Sequence, residues 1–300
     1  MKKTVFRGVG TAIVTPMNGD FSVNYTKLGE LIESQIASGV DAIVSCGTTG
    51  EASTLTDEEH AAVIEYTVKQ VKERVPVVAG VGSNDTAYAI WLSKEAKAVG
   101  ANALLHVTPY YNKTSQKGLV QHFFACADAT DLPVILYNVP SRTGLDIKPE
   151  TYLALSKHPN IVATKEANGN LTSILKTRYL CGGELAIYSG NDDNITAILS
   201  LGGIGVISVL SNILPRETGD ICRHFFEGKA EESAALQIRY AAFIEALFAD
   251  VNPIPVKEAM NLMGLGCGPC RLPLAEADES VKARLAAEMR KLGIPTIEDL

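Results

Sequence analysis

The chain has 300 residues, 46% of them hydrophobic, so it can bury a large core either as two domains or as one large barrel. Its formal net charge is −7 and its charges form no basic stripe, which argues against nucleic acid or an anionic membrane as the main partner. No run of about 18 apolar residues predicts a membrane span, and small molecules are the expected partners.

Eight short apolar runs, each followed by a stretch with helical periodicity, predict repeated βα units. Most of the runs are apolar on both faces, as buried parallel strands are. The pattern predicts an α/β fold, a closed (β/α)8 TIM barrel. The predicted strands are residues 9–14, 42–45, 77–81, 103–107, 134–138, 161–165, 185–189 and 205–209.

The predicted helices begin and end at recognisable residues. Thr56 precedes three acids, of which Glu59 is the third, and this predicts a capped helix start. A further helix is predicted from Asp85 to Ala98, ending before Gly100.

The last part of the chain has helical periodicity without strands, at residues 230–249, 255–265 and 275–292. Barrels of this type commonly carry additional segments. The sequence therefore predicts a (β/α)8 barrel in residues 1–228 and a C-terminal helical extension in residues 229–300.

Several other chemistries are disfavoured. The five histidines have no metal-ligand spacing, so no metal and no cofactor are predicted, and neither a serine elbow nor a phosphate loop occurs. Cys267 and Cys270 form a C-x-x-C, but it follows a predicted helix end and opens no helix, which disfavours a thioredoxin-like role. Residues 1–8 lack the pattern of a signal peptide, so a cytoplasmic protein is expected.

The sixth predicted strand is an apolar run that ends on one amine, that of Lys165. Alternation along a strand would place Ile161, Ala163 and Lys165 on one face and Glu166 on the other. Lysine is seldom buried without a partner or a function. A lysine that reaches solvent just beyond the strand is the simpler alternative.

The carboxyl ends of the strands form the active site of a TIM barrel. Beside Lys165, the reactive groups expected there are Thr48 and Thr49 after the second predicted strand, Tyr110 and Tyr111 after the fourth, and Tyr137 and Arg142 at the end of the fifth. These groups suit a small keto acid, because an amine can attack its carbonyl while backbone donors hold its carboxylate. Tyr137, on the strand next to that of Lys165, is the candidate for proton transfer. Taken alone, Tyr137 is equally compatible with packing at the rim, and the turn at Thr48 and Thr49 with an ordinary tight loop.

These residues resemble the dihydrodipicolinate synthases (4-hydroxy-tetrahydrodipicolinate synthases), a family of the pyruvate-dependent class I aldolases. The resemblance covers the whole chain. Its motifs are residues 47–51, 108–112, 137–144, 165–167, 189–192, 205–208, 252–257 and 271–274.

The resemblance implies a lyase of lysine and diaminopimelate biosynthesis that condenses pyruvate with L-aspartate 4-semialdehyde. Lys165 is expected to form the Schiff base with pyruvate, and Tyr137 to transfer protons. Thr48 is expected to link Tyr137 to Tyr111, which a second subunit supplies. A homotetramer, built as a dimer of dimers, is therefore expected.

The resemblance also implies how the substrates are held. Thr49, with the backbone of Thr48, is expected to bind the pyruvate carboxylate. Arg142 is expected to bind the carboxylate of the second substrate, and Gly190 and Ile207 to line the pocket.

An allosteric cleft for lysine at the dimer interface is a further implication of the resemblance. Asp57 stands where sensitive enzymes commonly have a histidine, and Tyr88 stands where an acid is expected to bind the lysine amine. Weak or absent inhibition by lysine is therefore expected. The residues of the cleft are Ala52, Ser53, Asp57, His60, Asn84, Tyr88 and Tyr110.

Two alternative functions stay open. Other pyruvate-type aldolases, such as N-acetylneuraminate or 2-keto-3-deoxygluconate lyases, share the lysine and the tyrosine. Neuraminate lyases typically carry Ser-Thr in place of Thr48-Thr49 and lack an arginine after the tyrosine. Arg142 therefore favours the synthase, since a short dianionic product suits a bidentate cation. A non-catalytic keto-acid-binding regulator is the second alternative.

Overall fold

Residues 2–297 are described by a computed structural model. Within them, eight parallel strands close into a barrel in which each strand pairs with the next along the chain and the last pairs with the first. The predicted (β/α)8 barrel is confirmed. The strands are β1 (Gly8–Ala12), β2 (Ala42–Ser45), β3 (Val77–Gly80), β4 (Ala103–Val107), β5 (Val134–Asn138), β6 (Ile161–Glu166), β7 (Ala186–Ser189) and β8 (Gly205–Ser208).

Helices surround the barrel and continue beyond the last strand. In the described residues they are α1 (Tyr25–Ala37), α2 (Asp57–Val71), α3 (Thr86–Ala98), α4 (Gln116–Asp128), α5 (Pro140–Thr143), α6 (Pro149–Leu155), α7 (Leu171–Cys181), α8 (Ile195–Ser200), α9 (Pro215–Phe226), α10 (Ala230–Ala246), α11 (Ile254–Leu262) and α12 (Glu279–Leu292).

The strands are apolar on both faces because each face packs in a different layer. Leu105 and Ile135 belong to the cluster inside the barrel, whereas Leu104 and Leu136 belong to the larger cluster between the strands and the helices. Burial of each such side chain contributes about 1.5–3 kcal/mol. These two layers hold the carboxyl ends of the strands in a fixed arrangement.

Strand β6 departs from regular alternation. Ile161 pairs with Val134, but the next pair along the two strands joins Ala163 to Ile135, so Val162 is an extra residue in a β-bulge. Ile161 consequently packs in the outer layer while Ala163 packs inside the barrel. The expectation that Ile161 shares the face of Lys165 is wrong, because the bulge shifts the alternation after Ile161.

The predicted capping signals are confirmed. The hydroxyl of Thr56 accepts the backbone N–H of Glu59 at 3.2 Å, and the Glu59 carboxylate accepts the backbone N–H of Thr56 at 3.0 Å, which is a complete capping box at the start of α2. Asp85 caps α3 through the N–H of Ala87 at 2.9 Å.

The helices after the barrel pack back onto it: α10 contacts α8 and α9, and α12 contacts α10 and α11. Helix α12 begins at Glu279, after Asp278, rather than at 275 as predicted. The proposed boundary at 228/229 falls in the turn between α9 and α10, and the division into barrel and extension stays a prediction. Met1 and residues 298–300 lie outside the described residues.

Candidate active site

Lys165 and Tyr137 lie side by side inside the barrel. They are paired residues on β5 and β6, and the Lys165 Nζ lies 4.2 Å from the centroid of the Tyr137 ring. Lys165 is 6% exposed and Tyr137 7% exposed. The alternative in which Lys165 reaches bulk solvent is therefore wrong, and the amine lies beside Tyr137, which itself lines a cavity at the barrel mouth.

Gly190 and Ile207 shape the space beside this pair. The N–H of Gly190 donates to the carbonyl of Glu166 at 2.8 Å, and a Cβ at Gly190 would lie 3.1 Å from the Lys165 Cγ. A larger residue here would press on the lysine stem. Ile207 is buried on β8 in the cluster that includes Tyr137. Both predicted pocket residues are thus near the pair.

The threonine turn follows β2 and is folded tightly. Gly50 N–H donates to the carbonyl of Gly47 at 3.0 Å, and Glu51 N–H donates to that of Thr48 at 3.1 Å. Thr48 is exposed, whereas Thr49 is buried. The turn therefore presents Thr48 toward the open cavity and keeps Thr49 in the wall.

Asn252, whose role the sequence analysis did not foresee, connects two predicted substrate-binding residues. Its side-chain amide donates to the Thr49 hydroxyl at 3.0 Å, and its backbone carbonyl accepts from the Arg142 guanidinium at 3.4 Å. Arg142 is exposed, on the short helix α5 that follows Tyr137. Asn252 stands in one of the motifs that carry the resemblance, which was the available signal.

A buried ion pair connects the threonine turn to the C-terminal extension. The Lys257 Nζ on α11 lies 2.8 Å from a Glu51 carboxylate oxygen, and both side chains are almost fully buried. The other oxygen of Glu51 accepts the backbone N–H of Arg271 at 2.8 Å. Glu51 has φ of +56°, a conformation that favours glycine, so these bonds hold a strained residue next to the turn.

Tyr111 lies away from this group in the single chain. It is 91% exposed, with φ of +68°. Across residues 2–297, no hydrogen bond joins Thr48 to either Tyr137 or Tyr111. The predicted hydroxyl relay therefore stays a prediction that needs a second subunit.

One cavity of about 400 Å³ extends from the barrel mouth into the predicted allosteric cleft. Thr48, Tyr137 and Arg142 line it at the mouth, and Ser53, His60, Tyr88 and Tyr110 line it toward the cleft. Asn84 does not line the cavity, and the backbone carbonyl of Asn84 accepts from the side-chain amide of Asn112 at 3.0 Å. The predicted active site and the predicted allosteric cleft therefore open into the same cavity.

The cleft side of the cavity is occupied by hydrogen-bonded groups. Tyr88 donates its phenol to the Asp57 carboxylate at 2.5 Å, and burial, with this carboxylate, raises the pKa of Tyr88 to about 12. The His60 ring lies 2.8 Å from the carbonyl of Gly80, and burial lowers the pKa of His60. Tyr88 therefore stays a neutral phenol at physiological pH.

Three further observations concern metal ligands, membrane-spanning helices and the two cysteines of the C-x-x-C. Among the described residues, no group of three His, Cys, Asp or Glu side chains is arranged to hold a metal ion, and no helix is long and apolar enough to cross a membrane. Cys267 and Cys270 are free, and burial raises the pKa of each thiol to about 12. Both thiols are therefore protonated, which disfavours a reactive cysteine.

Known proteins give the context for this site. The family model described as the dihydrodipicolinate synthetase family matches residues 5–292. The 4-hydroxy-tetrahydrodipicolinate synthase of Lachnoclostridium phytofermentans is 55% identical over 291 residues, which cover 97% of this chain and 99% of the relative.

Solved structures are similarly close. Dihydrodipicolinate synthase from Thermotoga maritima superposes with a TM-score of 0.95 at 39% identity, covering 97% of this chain and 100% of its own. The enzyme from Cyanidioschyzon merolae, solved with lysine bound, has a TM-score of 0.95 at 40% identity with the same coverage. The predicted fold, lyase class and synthase function are confirmed by these relatives. The chain belongs to the dihydrodipicolinate synthetase family.

Proposed function

We propose that this chain condenses pyruvate with L-aspartate 4-semialdehyde through an imine on Lys165. The observation that carries the proposal is the buried Lys165 amine beside Tyr137, at the carboxyl ends of two paired strands. A buried amine beside a phenol is suited to form an imine with a small carbonyl compound, because the phenol can take up and return the protons of the reaction.

In the proposed reaction, the Lys165 Nζ attacks the keto carbon of pyruvate and forms a carbinolamine. Loss of water then gives the imine, and Tyr137 moves the protons of both steps. The imine loses a proton from its methyl group to Tyr137 and becomes an enamine, whose carbon attacks the aldehyde of the second substrate, and the proton passes to the aldehyde oxygen. The amino group of that substrate then displaces Lys165 from the imine carbon, which closes the ring and frees the enzyme.

The substrate carboxylates are proposed to bind at two places. Thr49 and the backbone of Thr48 would hold the pyruvate carboxylate at the turn after β2, where amide groups are available. Arg142, exposed at the rim, would hold the carboxylate of the second substrate. Gly190 and Ile207 would set the width of the pocket between them.

A parallel assay tests the second substrate. The protein is incubated with pyruvate and aspartate semialdehyde in one set of reactions and with N-acetylneuraminate or 2-keto-3-deoxygluconate in another. Condensation in the first set alone supports the proposal. Cleavage of a keto-sugar acid without condensation would instead support another pyruvate-type aldolase. If neither reaction occurs and no imine forms, the result would support a keto-acid-binding regulator.

A homotetramer built as a dimer of dimers is part of the proposal. Several large apolar side chains are exposed on the single chain, as expected where subunits meet. Tyr111, 91% exposed, would enter the site of a neighbouring subunit. Sedimentation of the wild type beside Leu175→Asp tests the assembly. Other large apolar residues that are exposed include Tyr110, Leu171, Leu175, Tyr179 and Ile238.

Weak or absent inhibition by lysine is also proposed. A free lysine amine needs an anionic partner in the cleft. Tyr88 offers a phenol whose proton is already donated to Asp57 at 2.5 Å, and the Asp57 carboxylate is engaged by that same bond. The Cyanidioschyzon merolae relative does bind lysine, so the prediction concerns these two positions rather than the fold.

We further propose that the protein works in the cytoplasm. Its six cysteines are all free in the described residues, and five of them are buried. Unpaired cysteines in this number fit a reducing compartment. Fractionation of cells that express the tagged chain tests this point.

A further inference from the structure

A second pair of residues lies directly behind the proposed reacting pair. Across β5 and β6, Tyr137 pairs with Lys165 and the next residues, Asn138 and Glu166, pair with each other. Successive residues of a strand face opposite sides. Asn138 and Glu166 therefore face the helices, and they are 0% and 4% exposed.

The carboxylate of Glu166 accepts hydrogen bonds from three separate segments. Tyr152 on α6 donates its phenol at 2.8 Å, and the Asn138 amide on β5 donates at 2.9 and 3.2 Å. The backbone N–H of Asn168, in the turn after β6, donates at 3.0 Å. Each of these groups is a donor, so the arrangement fits an ionised carboxylate.

Asn138 extends the network to the segment after α5. Its amide also donates to the Asp146 carboxylate at 2.8 Å, and its carbonyl accepts the backbone N–H of Ile147 at 3.1 Å. This segment directly follows the helix that carries Arg142. The network therefore fixes the ends of β5 and β6 and the segment beyond Arg142 relative to one another.

Resting on the proposed function, we infer that Glu166 is a positioning residue for imine formation: its carboxylate, through Asn138 and Tyr152, holds Lys165 and Tyr137 at their mutual separation. Glu166 faces away from the cavity and does not touch substrate. Burial of a carboxylate destabilises a fold, and an apolar residue would pack between strand and helix without that loss. A displacement of about 1 Å at reacting groups can lower a rate about 100-fold. A network that prevents such a displacement of Lys165 and Tyr137 would therefore preserve the rate.

The ionisation of Glu166 supports this role. Burial raises the pKa of Glu166 to about 7, with the nearby Asp146 charge contributing, while the bonds from Tyr152, Asn138 and Asn168 oppose the rise. Lys148 contacts Asp146 at 3.0 Å, and burial raises the pKa of Tyr152 well above its ordinary value. When Glu166 is protonated, one acceptor becomes a donor that faces donors. The network is complete only above about pH 7.

The test uses Glu166→Gln in the full-length enzyme, with kcat, the KM for pyruvate and the rate of borohydride-trapped imine measured from pH 5.5 to 9. We expect kcat and the trapping rate to fall at least about tenfold while the KM changes less than about threefold. We also expect a step near pH 7 in the kcat of the wild type, and this step should be absent from Glu166→Gln because glutamine does not titrate.

Tyr152→Phe provides a second variant with a milder change. It removes one hydrogen bond that lowers the pKa of Glu166, so the step in kcat expected near pH 7 should move to higher pH. Ser93→Ala is the matched control, because Ser93 is a buried helix hydroxyl that lies 3.2 Å from the outward-facing His106 of β4. This control should keep the wild-type profile.

Three outcomes separate the possibilities. A folded Glu166→Gln with wild-type kcat and pH profile would overturn the inference and leave Glu166 a packing residue. If Glu166→Gln does not fold, an unmoved pH step in Tyr152→Phe overturns it instead. If the wild type traps no pyruvate on Lys165, the proposed function fails by itself, whatever the variants do.

Discussion

Replacement of Lys257 by methionine should destabilise the protein by about 4 kcal/mol, because it leaves the Glu51 carboxylate buried without its cation. The Lys257 ammonium has an acceptor for each of its three N–H groups. They are the Glu51 carboxylate at 2.8 Å, the Pro269 carbonyl at 2.6 Å and the Thr15 carbonyl at 3.2 Å. Methionine fills the space of the stem and supplies none of these donors.

A double-mutant cycle separates the ion pair from the other bonds. Glu51→Gln alone should cost about 3 kcal/mol, since the Lys257 ammonium keeps two carbonyl partners. The double variant Lys257→Met/Glu51→Gln removes both charges and should cost only about 2–3 kcal/mol, well below the sum of the single variants. The difference measures the coupling between the two charges.

Urea unfolding followed by circular dichroism, at one fixed protomer concentration, measures these free energies of unfolding. Lys282→Met, which breaks the exposed pair of Lys282 with Glu279, is the control and should leave the midpoint nearly unchanged. Since Glu51 follows the threonine turn, Lys257→Met should also raise the KM for pyruvate. A loss below about 1 kcal/mol for Lys257→Met, or additive single variants, would refute this reasoning.

Three other predictions follow from the same contacts. Burial raises the pKa of Glu166 to about 7, so the protonated group stabilises the fold fully below about pH 4.5 and this contribution is lost as the pH rises through 7. Relative to Glu166→Gln, the wild type should therefore lose on the order of 3 kcal/mol of unfolding free energy between pH 4.5 and 7.5, and a constant difference across urea titrations would contradict this. Arg142→Ala should lower kcat/KM for aspartate semialdehyde about 10- to 100-fold but change pyruvate imine trapping less than about twofold; equal losses in both would argue against its role. In a lysine titration the wild type should keep its activity at sub-millimolar lysine, whereas Tyr88→Glu should become more sensitive to lysine. Strong inhibition of the wild type would contradict the role given to Asp57 and Tyr88.

The barrel and the reacting pair were predictable because local rules determine them. Short runs that are apolar on both faces locate the strands, and the capping box at Thr56 and Glu59 locates the start of α2. Consecutive strands of a TIM barrel are neighbours, so Tyr137 on β5 was expected beside Lys165 on β6. The opposite orientation of Glu166 followed from the same alternation.

Other features depend on contacts between distant parts of the chain. Asn252 bonds to Thr49 across 203 residues, and Lys257 bonds to Glu51 across 206 residues, so neither partner could be found from spacing. The bulge at Val162 was equally hidden, because an extra residue in a strand leaves an apolar run unchanged. The orientation of Glu166 was predictable, but its donors on α6 and β5 were not.

Borohydride reduction followed by peptide mapping determines whether Lys165 forms an imine with pyruvate. The protein is reduced in the presence and absence of pyruvate, beside Lys165→Arg as control. We expect one pyruvate-dependent adduct, on Lys165, that is absent from the control. No adduct, or an adduct on another lysine with Lys165 unmodified, would contradict it.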